Sequence, residues 1–600
     1  MTTHSLAPPA PATSFDLPSL LATARWLLEG VAECPSISAV RKRLATNVLG
    51  LLDGTTRPKD ASTHAVIRAR DCARVLLVML SRRSERMSGF TLAGVLWDIA
   101  RNKPHTDLQE GFFAEMIHLV AGVQGHGDFH LLPGGGFDAL GGREAAQART
   151  EELDRLWGHV QQRMSRYPSG LEPQSVQRRI DRTAAVMAAM NASPEQWRDW
   201  HWQTGHLLNT VGKLAQAARL SQQERFAIER LTAAGLPFAV TPYYASLMDD
   251  DGEDDRAIRM QVIPPTDYVE QMLSHSGDRQ AVCDFMRESD TSPVDLVTRR
   301  YPAIAILKPF NTCPQICVYC QRNWEITGAM EPAAMAPQEK IDGALEWIAK
   351  HPAISEVLVT GGDPLVMDDR SLGRILQRLA AIDSIDMIRI GTRTPVTLPM
   401  RITPSLAEFL GSFRKPGHRD IAIVTHVEHP YEITPELVQA VDLLRRQGIG
   451  VYNQQVYTFY VSRRFETAKL RMILRRAGID PYYTFATKGK EETASYRVPI
   501  ARLLQERKEE ARLLPGLRRT DEPVYNLPRL GKNYLRATQH HDLLAVLGDG
   551  RRVYEFHPWE KNVVARDSYV ATDVSILDYL RRLEEIGENA ADYSSIWYYY

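Results

Sequence analysis

Cysteine is scarce: the chain has six in 600 residues. Cys34, Cys72 and Cys283 are scattered, which excludes a disulfide framework and fits a reducing, cytoplasmic setting. Net charge is nearly absent too. Lys and Arg number 72 against 73 Asp and Glu, a formal net charge of -1. That gives no electrostatic case for nucleic acid or an anionic membrane. Long apolar runs are missing. The most apolar, Val75–Leu80, is far too short to span a bilayer. The opening stretch, MTTHSLAPPAPATSF, has no basic segment followed by an apolar one, which argues against a secretory leader. The chain is 44% hydrophobic and 24% charged, ordinary for a globular protein whose length predicts several domains.

What stands out is concentrated in one stretch, Asn311 to Arg322, NTCPQICVYCQR. Cys313, Cys317 and Cys320, spaced Cys-x3-Cys-x2-Cys, are half of the cysteines in the chain. Thiolates so close in one loop cannot bridge one another without strain, so the spacing predicts a grip on one inorganic centre rather than three unconnected buried thiols. Zinc would want a fourth Cys or His, and none is near in sequence. Three thiolates on a four-iron cluster leave one iron free. An open coordination position is where a metal centre does chemistry.

Residues 1–15 read as a disordered N-terminus. Residues 16–193 read as a helical domain, with helical spacing in Leu17–Ala32, His64–Ser81 and Leu108–Val123. On the last, Phe112, Phe113, Met116, Leu119 and Val120 share one face. The glycine-rich Leu131–Gly142 has no Lys-Ser/Thr after it and reads as a loop, not a phosphate cradle. Residues 194–298 form a helical lead-in, and the acidic run Asp249–Asp255 reads as a solvated loop. From Tyr301 short aliphatic runs recur: Ala303–Leu307, Glu356–Thr360, Met387–Ile390, Ile421–Val424, Gly450–Val456 and Tyr482–Phe485. Amphipathic helices such as Gln338–Lys350, Ser371–Ala381 and Pro435–Gln447 lie between them. Repeated strand–helix units predict an α/β fold with a parallel sheet, over residues 299–560. Polar or reactive residues follow each strand: the cysteine loop, TGGDPL, GTRTP, THVEHP, Asn453–Gln454 and ATKGK. A barrel-like sheet gathers those ends around one site. Residues 561–600 read as a C-terminal tail without a metal pattern.

The cysteine spacing resembles that of radical SAM enzymes. Together with WRDWHWQ, TPYYASL, RRYP, GGDPL, RIGTRTPV, THVEHPYEIT and NQQV, it resembles the lysine 2,3-aminomutase family, from about Pro194 to about Pro558. The resemblance implies a partial (β/α)6 barrel with a helical N-terminal extension. It implies a 4Fe-4S cluster on Cys313, Cys317 and Cys320, and S-adenosylmethionine (SAM) bound through Tyr319, Gly361, Gly362, Asp363 and Gln454. It also implies pyridoxal 5′-phosphate (PLP) held by Arg300, Tyr301 and Arg393, with Lys532 as the Schiff-base lysine. Here the sequence departs from the family: its run of four glycines before the lysine is replaced by Arg529, Leu530 and Gly531, one residue shorter. The family's cysteine-rich tail is absent.

The implied reaction is an isomerisation. A radical made from SAM takes a β-hydrogen, and the amino group moves from C2 to C3 of an α-amino acid. Arg322 matches the residue that pairs with the substrate carboxylate. Lys488 and Asn526 fall where lysine-specific members have two aspartates, the pattern of glutamate 2,3-aminomutases. An ammonium and an amide there would accept a side-chain carboxylate and repel an ammonium. The alternatives are lysine 2,3-aminomutase activity, a PLP-independent radical SAM reaction in a biosynthetic pathway, and a non-catalytic cluster protein that senses redox state. The partners implied are a small amino-acid substrate and an electron donor such as flavodoxin or ferredoxin. A homo-oligomer is compatible with the resemblance; nucleic acid and membrane are not expected.

Overall fold

A computed structural model describes residues 14–52, 63–127, 136–249, 255–274, 284–487, 491–537 and 539–600. Lys488, Cys283, most of the acidic run, the start of the glycine-rich loop and residues 1–13 lie outside them. The chain forms two compact units. One comprises 160–497 with 510–532, the other 1–159 with 498–509 and 533–600. The first unit thus begins at residue 160, and the chain from 533 on belongs to the second.

The first unit is built on a sheet whose strands run in sequence order. A short strand β1 (Val297–Thr298) is antiparallel to β2 (Ile304–Phe310). Then come β3 (Glu356–Gly361), β4 (Met387–Gly391), β5 (Asp420–Thr425), β6 (Gly450–Tyr457) and β7 (Asp480–Ala486), each parallel to the one before. These are the six strands expected from the aliphatic runs. A further parallel strand, β8 (Glu522–Leu527), follows β7, and β9 (Gly531–Tyr534) ends the order. Consecutive parallel pairing without closure is a partial barrel.

Strand alternation and helix stripes explain the layers. β2, β3, β4 and β6 alternate buried and half-buried residues, so one face packs on helices while the other looks inward. The helix Gln338–Ala349 buries Ile341, Ala344, Leu345 and Ile348, and Asp369–Ala380 buries Leu372, Ile375, Leu376 and Leu379. Both stripes follow the helical period. Asp368 caps the second by accepting the Ser371 N–H at 2.9 Å, and Thr434 caps Pro435–Arg446 in the same way, with Pro435 in the first turn. Capped helices on the outside leave the carboxyl ends of the strands free for long loops.

The second unit packs helices against a three-stranded antiparallel sheet of β10 (His541–Val546), β11 (Arg552–Phe556) and β12 (Tyr569–Thr572). Its helix Glu110–Val123 buries Phe112, Met116, Leu119 and Val120 as expected, while Phe113 is only half-buried. It also buries Glu115, which meets Arg552 of β11 through two contacts of 2.9 Å. The expected tail is ordered, with β12 followed by the helix Ile576–Glu585. Among the described residues no helix is long and apolar enough to cross a membrane.

Candidate active site

The cysteine loop leaves β2 and is fixed by its backbone. Ile316 and Val318 N–H donate to the carbonyls of Ala239 and Gln261, each at 3.0 Å. The Asn323 amide donates to the carbonyls of Cys317 and Val318, both at 3.2 Å, and to the Tyr268 hydroxyl at 2.9 Å. The turn after β3 then locks onto the loop. Gly362 N–H donates to Phe310 and Asp363 N–H to Thr312, each at 2.8 Å. Gly361 adopts φ +121°, and any side chain on Gly362 would collide with the Thr312 backbone. Two glycines are therefore required there by geometry.

The three cysteines line one cavity of about 300 Å³. Tyr319, Arg322, Gly361, Gly362, Asp363, Arg393, Gln454 and Asn526 also line it. The positions expected to serve the cluster, SAM and substrate thus converge, Lys488 lying outside the described residues. The donor set fits a cluster better than a single ion. Among the described residues, the one trio of ligand-type atoms lying mutually within 4.8 Å is Asp542, Glu555 and His557 in the other unit, where Arg83 already pairs with Glu555. Zinc–sulfur bonds of ~2.3 Å in a tetrahedron would draw three sulfurs to about 3.8 Å, and among the described residues the three cysteines are not such a trio. Burial raises the Cys313 and Cys317 thiols, with Arg393 opposing the rise at Cys317. A cationic metal centre is what would hold them as thiolates.

Arg393 lines the same cavity and ties several elements together. Its backbone N–H donates to Asp363 at 2.8 Å, which ties the end of β4 to the cysteine loop. Its guanidinium donates to Cys317 Sγ at 2.9 Å, to Glu432 at 2.7 Å and to the His426 carbonyl at 3.2 Å. Each of its three nitrogens thus makes a contact beside the cysteines, so Arg393 braces the cysteine loop. Asp363 likewise spends its carboxylate on Thr392, Arg393 and Leu365. The sequence reading overlooked His426, which lines the same cavity. Burial pushes its imidazole down to about 4, and burial pushes the neighbouring Glu428 up to about 8 against the pull of Arg393. The THVEHP turn after a strand was the available signal.

Lys532 does not line that cavity, yet its surroundings are specific. Its Nζ lies 5.0 Å from the Tyr301 ring and 4.9 Å from the Tyr483 ring. Its backbone N–H donates to the Tyr301 hydroxyl at 2.7 Å. Burial, then the charges of Arg389 and Arg300, push the amine down to about 8. A lysine flanked by rings and cations is poised as a nucleophilic amine. In the turn before it, Arg529 and Gly531 adopt φ +64° and +95°. A Cβ on Gly531 would stand 2.5 Å from the Tyr301 hydroxyl. These residues fit a pyridoxal group bound through an imine.

A three-cysteine loop after the first parallel strand of an open barrel, beside a cavity at the strand ends, defines a radical SAM protein. The Radical SAM superfamily model matches residues 307–504. An uncharacterised KamA family protein of Methanocaldococcus jannaschii is 45% identical over 549 residues, 88% of each chain. The chain belongs to the KamA family of radical SAM aminomutases, whose chemistry rests on a 4Fe-4S cluster and SAM. An L-lysine 2,3-aminomutase of Fusobacterium nucleatum is 35% identical over 314 residues, 52% of this chain and 70% of that protein. A glutamate 2,3-aminomutase of Clostridioides difficile is 31% identical over 322 residues, 53% of this chain and 72% of that protein.

Proposed function

We propose that this chain is a PLP-dependent 2,3-aminomutase that moves the amino group of glutamate from C2 to C3. The cluster with SAM supplies a hydrogen-abstracting radical, and PLP, when bound, supplies an aldehyde that condenses with amines. In this reading Cys313, Cys317 and Cys320 hold the cluster, Lys532 holds PLP, and Arg300 with Tyr301 orients its phosphate side. Tyr319, Gln454 and the Gly361–Gly362 turn shape the SAM-binding wall. Arg322 takes the substrate α-carboxylate, and Asn526 with Lys488 receives the side-chain carboxylate.

The character of the cavity wall carries the choice of glutamate. Asn526 lies on it, and Asp363 is the one carboxylate among the described lining residues. Asp363 is already satisfied by three protein donors. The wall therefore offers an amide and a guanidinium but no available acid to hold a lysine ammonium. Rearrangement assays with glutamate, aspartate, lysine and arginine test this. Turnover of glutamate is expected, and turnover of lysine alone overturns it. Borohydride reduction followed by peptide mapping is expected to place a pyridoxyl group on Lys532. A purified enzyme that lacks an imine absorption band and rearranges its substrate without PLP would refute the PLP assignment.

A further inference from the structure

Glu288 lies on a segment ahead of β1 that also grips the Lys532 turn. The Met286 carbonyl accepts the Arg529 N–H at 3.0 Å, and Asp290 pairs with the Arg529 guanidinium at 3.1 Å. Glu288 is only 8% exposed. Its Oε1 accepts Arg322 Nη2 at 2.6 Å and lies 3.4 Å from Arg300 Nη2, while its Oε2 accepts Lys308 Nζ at 2.8 Å. Burial would raise its carboxyl, but Arg322, Lys308 and Arg300 together hold it down to about 2. One carboxylate thus sits among three cations. The other acid near by, Glu325, stands 3.8 Å from Lys308.

The guanidiniums are not exhausted by this arrangement. Arg300 Nε and Arg322 Nη1 are buried with no hydrogen-bond partner among the described residues. Buried donors left unsatisfied are costly, and they mark places where a partner arrives from outside. Three cations against two carboxylates also leave positive charge in excess, so the incoming partners are anions.

We propose that Glu288 is the built-in counter-anion of a two-oxyanion receptor. It holds Arg300 and Arg322 side by side, leaves Arg300 Nε and Arg322 Nη1 for a phosphate and a carboxylate, and sets anion affinity by opposing both. This rests on the reading of Arg322 and Arg300 as the carboxylate and phosphate ligands. Glu288 is then a positioning residue whose charge trades affinity for discrimination: a weakly held monoanion is turned away, and an ion with well-placed oxygens is kept.

The test is calorimetric titration of the full chain with inorganic phosphate at fixed low ionic strength, without PLP or amino acid. Glu288→Gln is expected to bind phosphate about ten-fold or more tightly, as removal of one like charge a few Å away predicts. Arg322→Gln is expected to weaken binding, and the double variant to lose the gain. Loss of a merely structural contact would move affinity in the opposite direction. Unchanged or weaker phosphate binding by Glu288→Gln with unaltered thermal melting overturns the proposal. If that variant does not fold, Glu288→Asp, which retracts the carboxylate by one methylene, takes its place. It is expected to bind phosphate more tightly than the parent, and equal or weaker binding overturns the proposal. Absence of a pyridoxyl group on Lys532 would sink the proposed function and leave this titration standing; an unmoved titration does the reverse.

Discussion

Arg393 and Glu432 form an ion pair at 2.7 Å in which the carboxylate is fully buried. Glu432 also accepts the Tyr244 hydroxyl at 2.7 Å and the Glu428 N–H at 2.6 Å. The same guanidinium reaches Cys317, so one side chain joins the loop after β5 to the cysteine loop. Removing the guanidinium strands a buried carboxylate, which costs more than the pair itself is worth.

Arg393→Gln is therefore expected to lower stability by about 3–5 kcal/mol, read as a fall in the urea midpoint with unchanged slope. A loss under about 1 kcal/mol, the range of an exposed pair, would mean that Glu432 finds another partner.

Lys532 gives a pH signature. Its amine is pushed down to about 8 from an ordinary 10.5. Below about 8 it is protonated and cannot attack an aldehyde; above it the neutral amine dominates. The rate of borohydride-trapped condensation with PLP is expected to rise with pH through a midpoint near 8 and to level off only above it. Arg389→Met removes one of the two cations that depress the amine, so the midpoint should move up. A midpoint near that of an exposed lysine would contradict the environment described here.

The six strands of the barrel were legible because each aliphatic run ends in a polar turn, and alternation needs no long-range information. β8 was not, because the strand–helix rhythm breaks after β7. Glu522–Leu527 is preceded by short irregular turns rather than a long amphipathic helix. The cysteine loop could be read from its spacing, and the GGD turn was singled out by the family resemblance. The ion pair of Arg393 could not be read this way: its motif shows an arginine at a strand end, but its partner Glu432 lies 39 residues further on. Glu288 was invisible for the same reason. A single acid ahead of RRYP has no pattern, and its meaning comes only from the three cations that the fold brings to it.

Gly531 tests the lysine turn. At φ +95° it occupies a region costly for any L side chain, and an added Cβ would meet the Tyr301 hydroxyl at 2.5 Å. Gly531→Ala should destabilise by roughly 1–3 kcal/mol. It should also push Tyr301 off the Lys532 N–H, lowering PLP affinity more than Tyr301→Phe does. Thermal melts and PLP titration of both variants check this. An alanine variant with parental affinity would show that the turn tolerates rearrangement.

The substrate end of the cavity is tested by reversing its polarity. Asn526 lies on the wall with Arg322, and in the proposed function its amide faces the side-chain carboxylate of glutamate. Asn526→Asp replaces an uncharged group by a carboxylate of nearly the same shape, so packing is little disturbed. Two like charges ~4 Å apart at an effective dielectric of 20 repel by about 4 kcal/mol. If water in the cavity screens half of that, kcat/KM for glutamate falls by roughly 30-fold. The loss should appear in KM as well as kcat, because the repulsion acts on the bound substrate before reaction. The imine band of Lys532 should be unchanged, since Asn526 is not among the groups around that amine. Glutamate turnover that is indifferent to the substitution would place the side chain elsewhere in the cavity and remove Asn526 from the substrate site.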